Sequence, residues 1–179
     1  MQTYLELFRI PGVKRLVLSA FPGRFAYSML TLATYFYVHE ATGSITTAGL
    51  ATGAETIASS VTAGLRGGAI DKFGLNRPMA FFFPTWTILM VLLTQVESPT
   101  AIISIAALIG LSSPPINLSI RPLWRSAVPA DQLRTAFALD TTIMNTATVM
   151  GPFVATYVAL QIGADIELWI TAACMFVGG

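Results

Sequence analysis

The chain has 179 residues, of which 54% are hydrophobic and 11% charged, and its formal net charge is +1. Soluble domains carry about 25% charged residues, so this composition, with a mean hydropathy of +0.69, points away from a water-soluble globule. The single cysteine, Cys174, excludes an intramolecular disulfide and a cysteine metal cluster, and the single histidine, His39, argues against a histidine metal site.

Six apolar runs follow one another, at residues 16–38, 46–66, 79–96, 101–121, 135–160 and 166–179. About 20 helical residues cross a ~30 Å hydrocarbon core. The first five runs meet that length. The sixth stops at Gly179 inside an element, so the chain is expected to be a fragment of a longer protein. The first run is too long for a signal-peptide core, and further runs follow it.

Charge alternates between the connections. Arg9, Lys14 and Arg15 precede the first run; Arg66, Lys72 and Arg77 lie between the second and third; Arg121, Arg125 and Arg134 flank the link from the fourth to the fifth. The opposite connections hold Glu40, Glu97, Asp165 and Glu167 and no basic residue. Under the positive-inside rule the N-terminus is cytoplasmic. Short links make successive spans antiparallel neighbours.

The first run carries Arg24 and Tyr27, and the second carries Glu55. A charge inside a bilayer costs roughly 2.5–3.5 kcal/mol even on insertion scales. Counted from the ends of the runs, Arg24 and Glu55 lie ~12 Å and ~16 Å from the cytoplasmic edge. They are therefore expected to pair, either as a substrate or proton-coupling site or as a static ion pair. The second run is otherwise built of small residues, with Gly49 and Gly53 allowing close backbone approach.

Between runs two and three lies Gly67-Gly68-Ala69-Ile70-Asp71-Lys72-Phe73-Gly74-Leu75-Asn76-Arg77. It reads as a short charged cytoplasmic turn, with Gly74 permitting a tight reversal and Asp71 beside Lys72 and Arg77. The fourth run contains Ser112, Ser113, Pro114, Pro115 and Asn117, whose prolines predict a kink that frees carbonyls. In the fifth, Asp140, Met144, Ala147 and Gly151 share one helix face by spacing. Arg66, Arg77 or Arg125 is the expected partner of Asp140, as a cytoplasmic gate or structural pair. Trp124 reads as packing or interfacial.

The loop motif Gly67-x-x-x-Asp71-Lys72-x-Gly74-x-x-Arg77 resembles the signature loop of the major facilitator superfamily. The approach Leu7-Phe8-Arg9-Ile10-Pro11-Gly12 and the stretch Val128-Pro129-Ala130 with Arg134-Thr135-Ala136-Phe137 are similar to that family's first-helix approach and fifth-helix connection. The resemblance covers essentially the whole chain. One departure is Leu75-Asn76, which stands where the family loop continues with Arg. Gly151-Pro152 is similar to the antiporter signature of exporting members, whose other glycines are missing here.

The resemblance implies an all-α membrane protein: the N-terminal six-transmembrane-helix bundle of a major facilitator, sixth helix incomplete, second bundle absent. It implies a secondary transporter in the cell membrane, moving a small solute by alternating access, with protons as the coupling ion and efflux slightly ahead of uptake. Spans one and four line the central cavity in such a fold, making Arg24, Tyr27 and Asn117 the candidate substrate-facing set, with Glu55 as coupling candidate. Gly67, Asp71, Lys72, Gly74, Arg77 and Asp140 are the candidate cytoplasmic gate, and Gly151-Pro152 a span-five hinge. The partners implied are lipid, a small-molecule substrate, protons and the missing C-terminal half. The second reading is a non-transporting membrane module, a remnant, or a half that self-associates.

No enzyme constellation is present: the glycine-rich loop lacks the G-K-[ST] of a phosphate site, and there is no G-x-S-x-G or histidine zinc motif. No cofactor or metal is expected. The basic residues are divided among loops of one membrane face, which argues against nucleic-acid binding.

Overall fold

The computed structural model describes residues 6–178, with the side chains of Asn117, Leu118 and Ser119 outside the description. Within them the chain forms helices α1 (Val13–Thr42), α2 (Ile45–Phe73), α3 (Asn76–Leu93), α4 (Pro99–Leu111), α5 (Ile116–Ala127), α6 (Leu133–Gln161) and α7 (Ala164–Gly178), with a 3-10 turn at Ala130–Gln132 before α6. There is no strand among the described residues. The fold is an all-α bundle.

The helix ends follow local chemistry. Gly43 closes α1 with φ 65°, its amide donating to the His39 carbonyl. Only glycine adopts that left-handed conformation at little cost. Ser44 then caps α2, its Oγ accepting the Thr47 amide at 3.1 Å. Gly74, at φ 75°, ends α2 with its amide on the Ile70 carbonyl. Pro99 opens α4, where a missing amide costs nothing.

Two elements differ from the sequence expectation. The helix of run two does not stop at Arg66; it continues through Gly67, Gly68 and Asp71 to Phe73, leaving only Gly74 and Leu75 as the turn. Both glycines are accepted within the helix, and the charged stretch is mostly its last turns. The fourth run is not kinked but broken. α4 stops at Leu111 and α5 begins at Ile116, because consecutive Pro114 and Pro115 remove two amide donors from the middle of the run.

α1 packs most extensively on α7 and α2 on α4, and α1 also contacts α6 and α2. Three glycines mark close approaches, Gly178 of α7 against Gly23 of α1 among them. A Cβ at Gly110 of α4 would collide with the Glu55 carbonyl of α2, and a Cβ at Gly151 of α6 would collide with Ser28 of α1. α6 runs unbroken through Pro152.

The burial pattern is inverted relative to a soluble protein. Arg24, Glu55, Arg66, Asp140 and Glu167 are buried, while Val61, Leu65, Val149 and Phe153 are about 70% exposed on the outer faces of α2 and α6. Water would oppose both halves of that pattern; a hydrocarbon solvent favours both. The helices Val13–Thr42 and Ala130–Gln161 are by themselves long and apolar enough to cross a membrane. α2 has the length, 29 residues, but carries Ala, Gly, Ser and Thr where a lipid-facing helix would carry Leu and Ile.

Candidate functional site

Three recesses meet at Tyr27, near the middle of α1. The first, of about 310 Å³, is lined by Arg24, Tyr27, Ser28, Met144, Thr148 and Pro152. The second, about 270 Å³, lies between α2 and the α4–α5 break and includes Ser59, Ser60, Arg66 and Pro114. The third, about 120 Å³, continues past Ser59 and Ser60 to Glu55. The Tyr27 hydroxyl donates to the Pro114 carbonyl at 2.9 Å. That carbonyl is available because the prolines have ended the helix, and the bond ties α1 to the break.

Arg24 is 4% exposed, and its guanidinium meets Asp140, not Glu55. Nη1 stands 2.8 Å from Asp140 Oδ1, and Nη2 donates to Oδ2 at 3.1 Å. The Trp124 indole N–H donates to Oδ1 at 2.8 Å. The carboxylate thus receives a two-pronged guanidinium and an indole, the arrangement in which charge-assisted bonds are strongest. The space around it, walled by Leu16, Ala20, Ile120 and Ile143, holds no water-sized void. None of Arg66, Arg77 and Arg125, the partners expected for Asp140, makes this ion pair.

The reason lies in the helix ends. Arg24 is ~16 Å from the first residue of α1 at 1.5 Å per residue. Glu55 is ~27 Å from the last residue of α2, because that helix runs seven residues beyond Arg66. The two charges therefore sit on different levels. Thr34, further along α1, lies beside the Glu55 carboxyl instead. Glu55 is 3% exposed and its Oε2 has no hydrogen-bond partner.

Arg66, expected at the cytoplasmic end of run two, is 6% exposed. It points back along α2, donating to the Ser59 carbonyl at 2.6 Å and to Ser59 Oγ at 3.1 Å. It also bonds the Ser113 carbonyl in the α4–α5 break. Its Nε has no partner. Helical spacing held the signal for this residue: Glu55, Ser59 and Arg66 lie at i, i+4 and i+11, on one face of a continuous helix. Nothing in the sequence links Trp124 to Asp140.

The remaining candidates fall elsewhere. The Asn117 side chain lies outside the described residues. Asp71, Lys72 and Arg77 are exposed; the ion pair found among the described residues is Arg24–Asp140, and Lys72 Nζ stands 5.2 Å from the Phe73 ring centroid. Asp140 is separated from this group and belongs with Arg24. Gly151 is buried against Ser28. No group of three or more histidine, cysteine or carboxylate side chains placed to hold a metal occurs among the described residues.

An all-helical bundle with charges turned inward, apolar residues turned outward and a polar recess at a broken helix defines an integral membrane protein. The chain belongs to the Major Facilitator Superfamily, whose family model matches residues 16–179. It is also similar to an uncharacterised MFS-type transporter of Sinorhizobium fredii, at 28% identity over 188 residues. That match covers 96% of this chain and 44% of the relative, so the chain spans less than half the relative's length.

Proposed function

We propose that this chain is the N-terminal bundle of a secondary active transporter that moves a small solute by alternating access, driven by protons, with efflux slightly ahead of uptake. The observation that carries the reading is the half-open recess around Tyr27, which the α4–α5 break adjoins and into which Arg66, Ser59 and Glu55 bring polar groups. Discontinuous helices with unsatisfied backbone at mid-bundle are how transporters of this kind build a site near the membrane midplane. Arg24, Tyr27 and Asn117 are the proposed solute-facing residues, and Glu55, a buried carboxyl without an ionic partner, is the proposed proton carrier. A second bundle, corresponding to the rest of the relative's length, would close the recess from the other side.

In this reading the protein sits in the plasma membrane with its N-terminus in the cytoplasm, as the basic connections favour. The exposed Asp71, with Gly67, Lys72, Gly74 and Arg77, then forms a latch against the second bundle. Gly151-Pro152 lets α6 flex as the bundles rock. The reading is supported by family membership, by the inverted burial and by the polar track along α2.

The test is proton-linked flux into vesicles of cationic and anionic amphipathic dyes, using the full-length protein and an Asp71→Ala variant. The full-length protein is expected to dissipate a pH gradient when dye is added. Asp71→Ala is expected to lower that rate at least about tenfold, equivalent to ~1.4 kcal/mol, with the protein still folded. Flux unchanged in Asp71→Ala overturns the latch. No proton-linked flux for any dye overturns proton-driven transport of this solute class.

A further inference from the structure

Arg24 and Arg66 are both buried guanidinium groups, yet only one of them has a carboxylate. Asp140 neutralises Arg24 at 2.8 Å. Arg66 bonds two backbone carbonyls and one hydroxyl and meets no carboxylate among the described residues; the Nε of each guanidinium lacks an acceptor. Carbonyl dipoles solvate part of a cation's charge but do not cancel it, and a buried uncompensated charge is costly. Such a charge persists where something else completes it.

Three further features converge on the same recess. First, α5 begins there: Ile116 is the first residue of a helix of 12 residues, long enough to present a positive dipole end, with the Ile116 amide itself donating to the Pro114 carbonyl at 2.9 Å. Anionic groups bind at such ends. Second, Ser59 Oγ accepts from Arg66, which leaves its own hydrogen to donate. Third, the Tyr27 hydroxyl lies beside Arg66 and Ser113 and walls the recess from α1. The space, about 270 Å³, holds a small ring with a charged head. Glu55 stands in the adjoining recess beyond Ser59 and Ser60. One guanidinium, that of Arg66, stands at the larger recess, and it neutralises one anionic head.

We propose that Arg66, Ser59 and the N-terminus of α5 form a subsite for the anionic head of an organic monoanion, a carboxylate or sulfonate, and that the transported solute belongs to this class. The identification of the ligand as the transported solute rests on the transporter reading above; the existence of the subsite does not. Arg66 is the cation of this subsite; Arg24, on the neighbouring recess, is already paired with Asp140.

The experiment is equilibrium binding to the full-length protein in lipid nanodiscs at fixed ionic strength. The probes are benzenesulfonate, which stays ionised at every working pH, its neutral isostere benzenesulfonamide, and benzylammonium. The expected result is at least tenfold tighter binding of the sulfonate than of the sulfonamide, or 1.4 kcal/mol, with no binding of the cation. Arg66→Gln should reduce the sulfonate's preference to about twofold or less, while Arg66→Lys keeps the charge but loses the planar fork and retains part of it. Ser59→Ala, which leaves the guanidinium in place, should weaken the sulfonate more than the sulfonamide; it keeps the test decisive if Arg66→Gln does not fold. Equal affinity for sulfonate and sulfonamide in the unmodified protein overturns the subsite, as does a preference that survives both Arg66→Gln and Ser59→Ala. Dye flux measured alongside separates the two failures. Proton-linked flux without anion preference defeats the subsite alone, and anion preference without flux defeats the transporter reading alone.

Discussion

The two halves of the polar interior are built on opposite terms. Around Asp140 the Arg24 guanidinium and the Trp124 indole converge on one carboxylate, and the space walled by Leu16, Ala20, Ile120 and Ile143 holds no water-sized void, although Arg24 Nε has no acceptor and Arg24 also lines the recess beside Tyr27. Around Arg66 and Glu55 the charges are unmatched, the prolines have opened the backbone, and about 270 Å³ and 120 Å³ of space adjoin them. The ion pair and the indole bond join three helices, α1, α5 and α6. Arg66 and Glu55 stand beside open space with no ion pair to either among the described residues. Exposure does not distinguish the two regions, since all four residues are buried. Pairing does.

The largest expected effect comes from breaking the closed region. Asp140→Asn removes one charge with almost no change of volume and strands Arg24 inside the bundle. Removing one partner of a buried pair costs about 3–5 kcal/mol, so thermal unfolding of the full-length protein in detergent should occur at a markedly lower temperature. The double variant Arg24→Gln with Asp140→Asn should recover much of the loss, because no charge is then stranded. A small single-variant effect, or no recovery in the double variant, would erase the distinction between the regions.

Much of this arrangement can be read from the sequence, and the misreadings have one main source. The apolar runs and the reversal at Gly74 mark the helices. Arg24, Tyr27, Glu55 and Asp140 stand out as polar groups in apolar surroundings. Pairing them, however, depends on level along the helix axis, and level depends on where each helix ends. Hydropathy falls at Arg66, yet α2 keeps its backbone bonds to Phe73. That difference of seven residues moves Glu55 by ~10 Å. It separates Glu55 from Arg24 and brings Arg66 from the cytoplasmic end of its run into the bundle. The contact between Trp124 and Asp140 is different in kind. It joins α5 to α6 across a turn, and no periodicity within either helix encodes it.

A medium-sized effect is expected where the open region is walled. Gly110 lets α4 approach the α2 backbone at Glu55, and a methyl group there would strike the Glu55 carbonyl. Gly110→Ala should therefore separate α2 from α4 and cost about 1–3 kcal/mol, the usual range for overpacking. Because the displaced helix also carries the break, binding at the Arg66 recess should weaken with it. Gly49→Ala is the control: a Cβ at Gly49 meets nothing within 4 Å, and stability should change by no more than ~0.5 kcal/mol. Equal effects at the two glycines would mean that the close approach of α4 does not matter.

The smallest expected effect sharpens the comparison most, because it repeats the chemistry of the largest. Glu55→Gln, like Asp140→Asn, exchanges a carboxyl for an amide of nearly the same shape. No cation depends on Glu55 for neutralisation, and its Oε2 has no partner to lose. The unfolding midpoint should therefore shift by the equivalent of less than ~1 kcal/mol, in contrast to the collapse expected at Asp140. Transport should respond in the reverse order of stability. An amide cannot carry a proton, so Glu55→Gln is expected to abolish the dependence of dye flux on the pH gradient while leaving exchange of dye across the membrane. If unfolding of this variant instead drops as far as that of Asp140→Asn, Glu55 has an ionic partner, and the open region is as closed as the other.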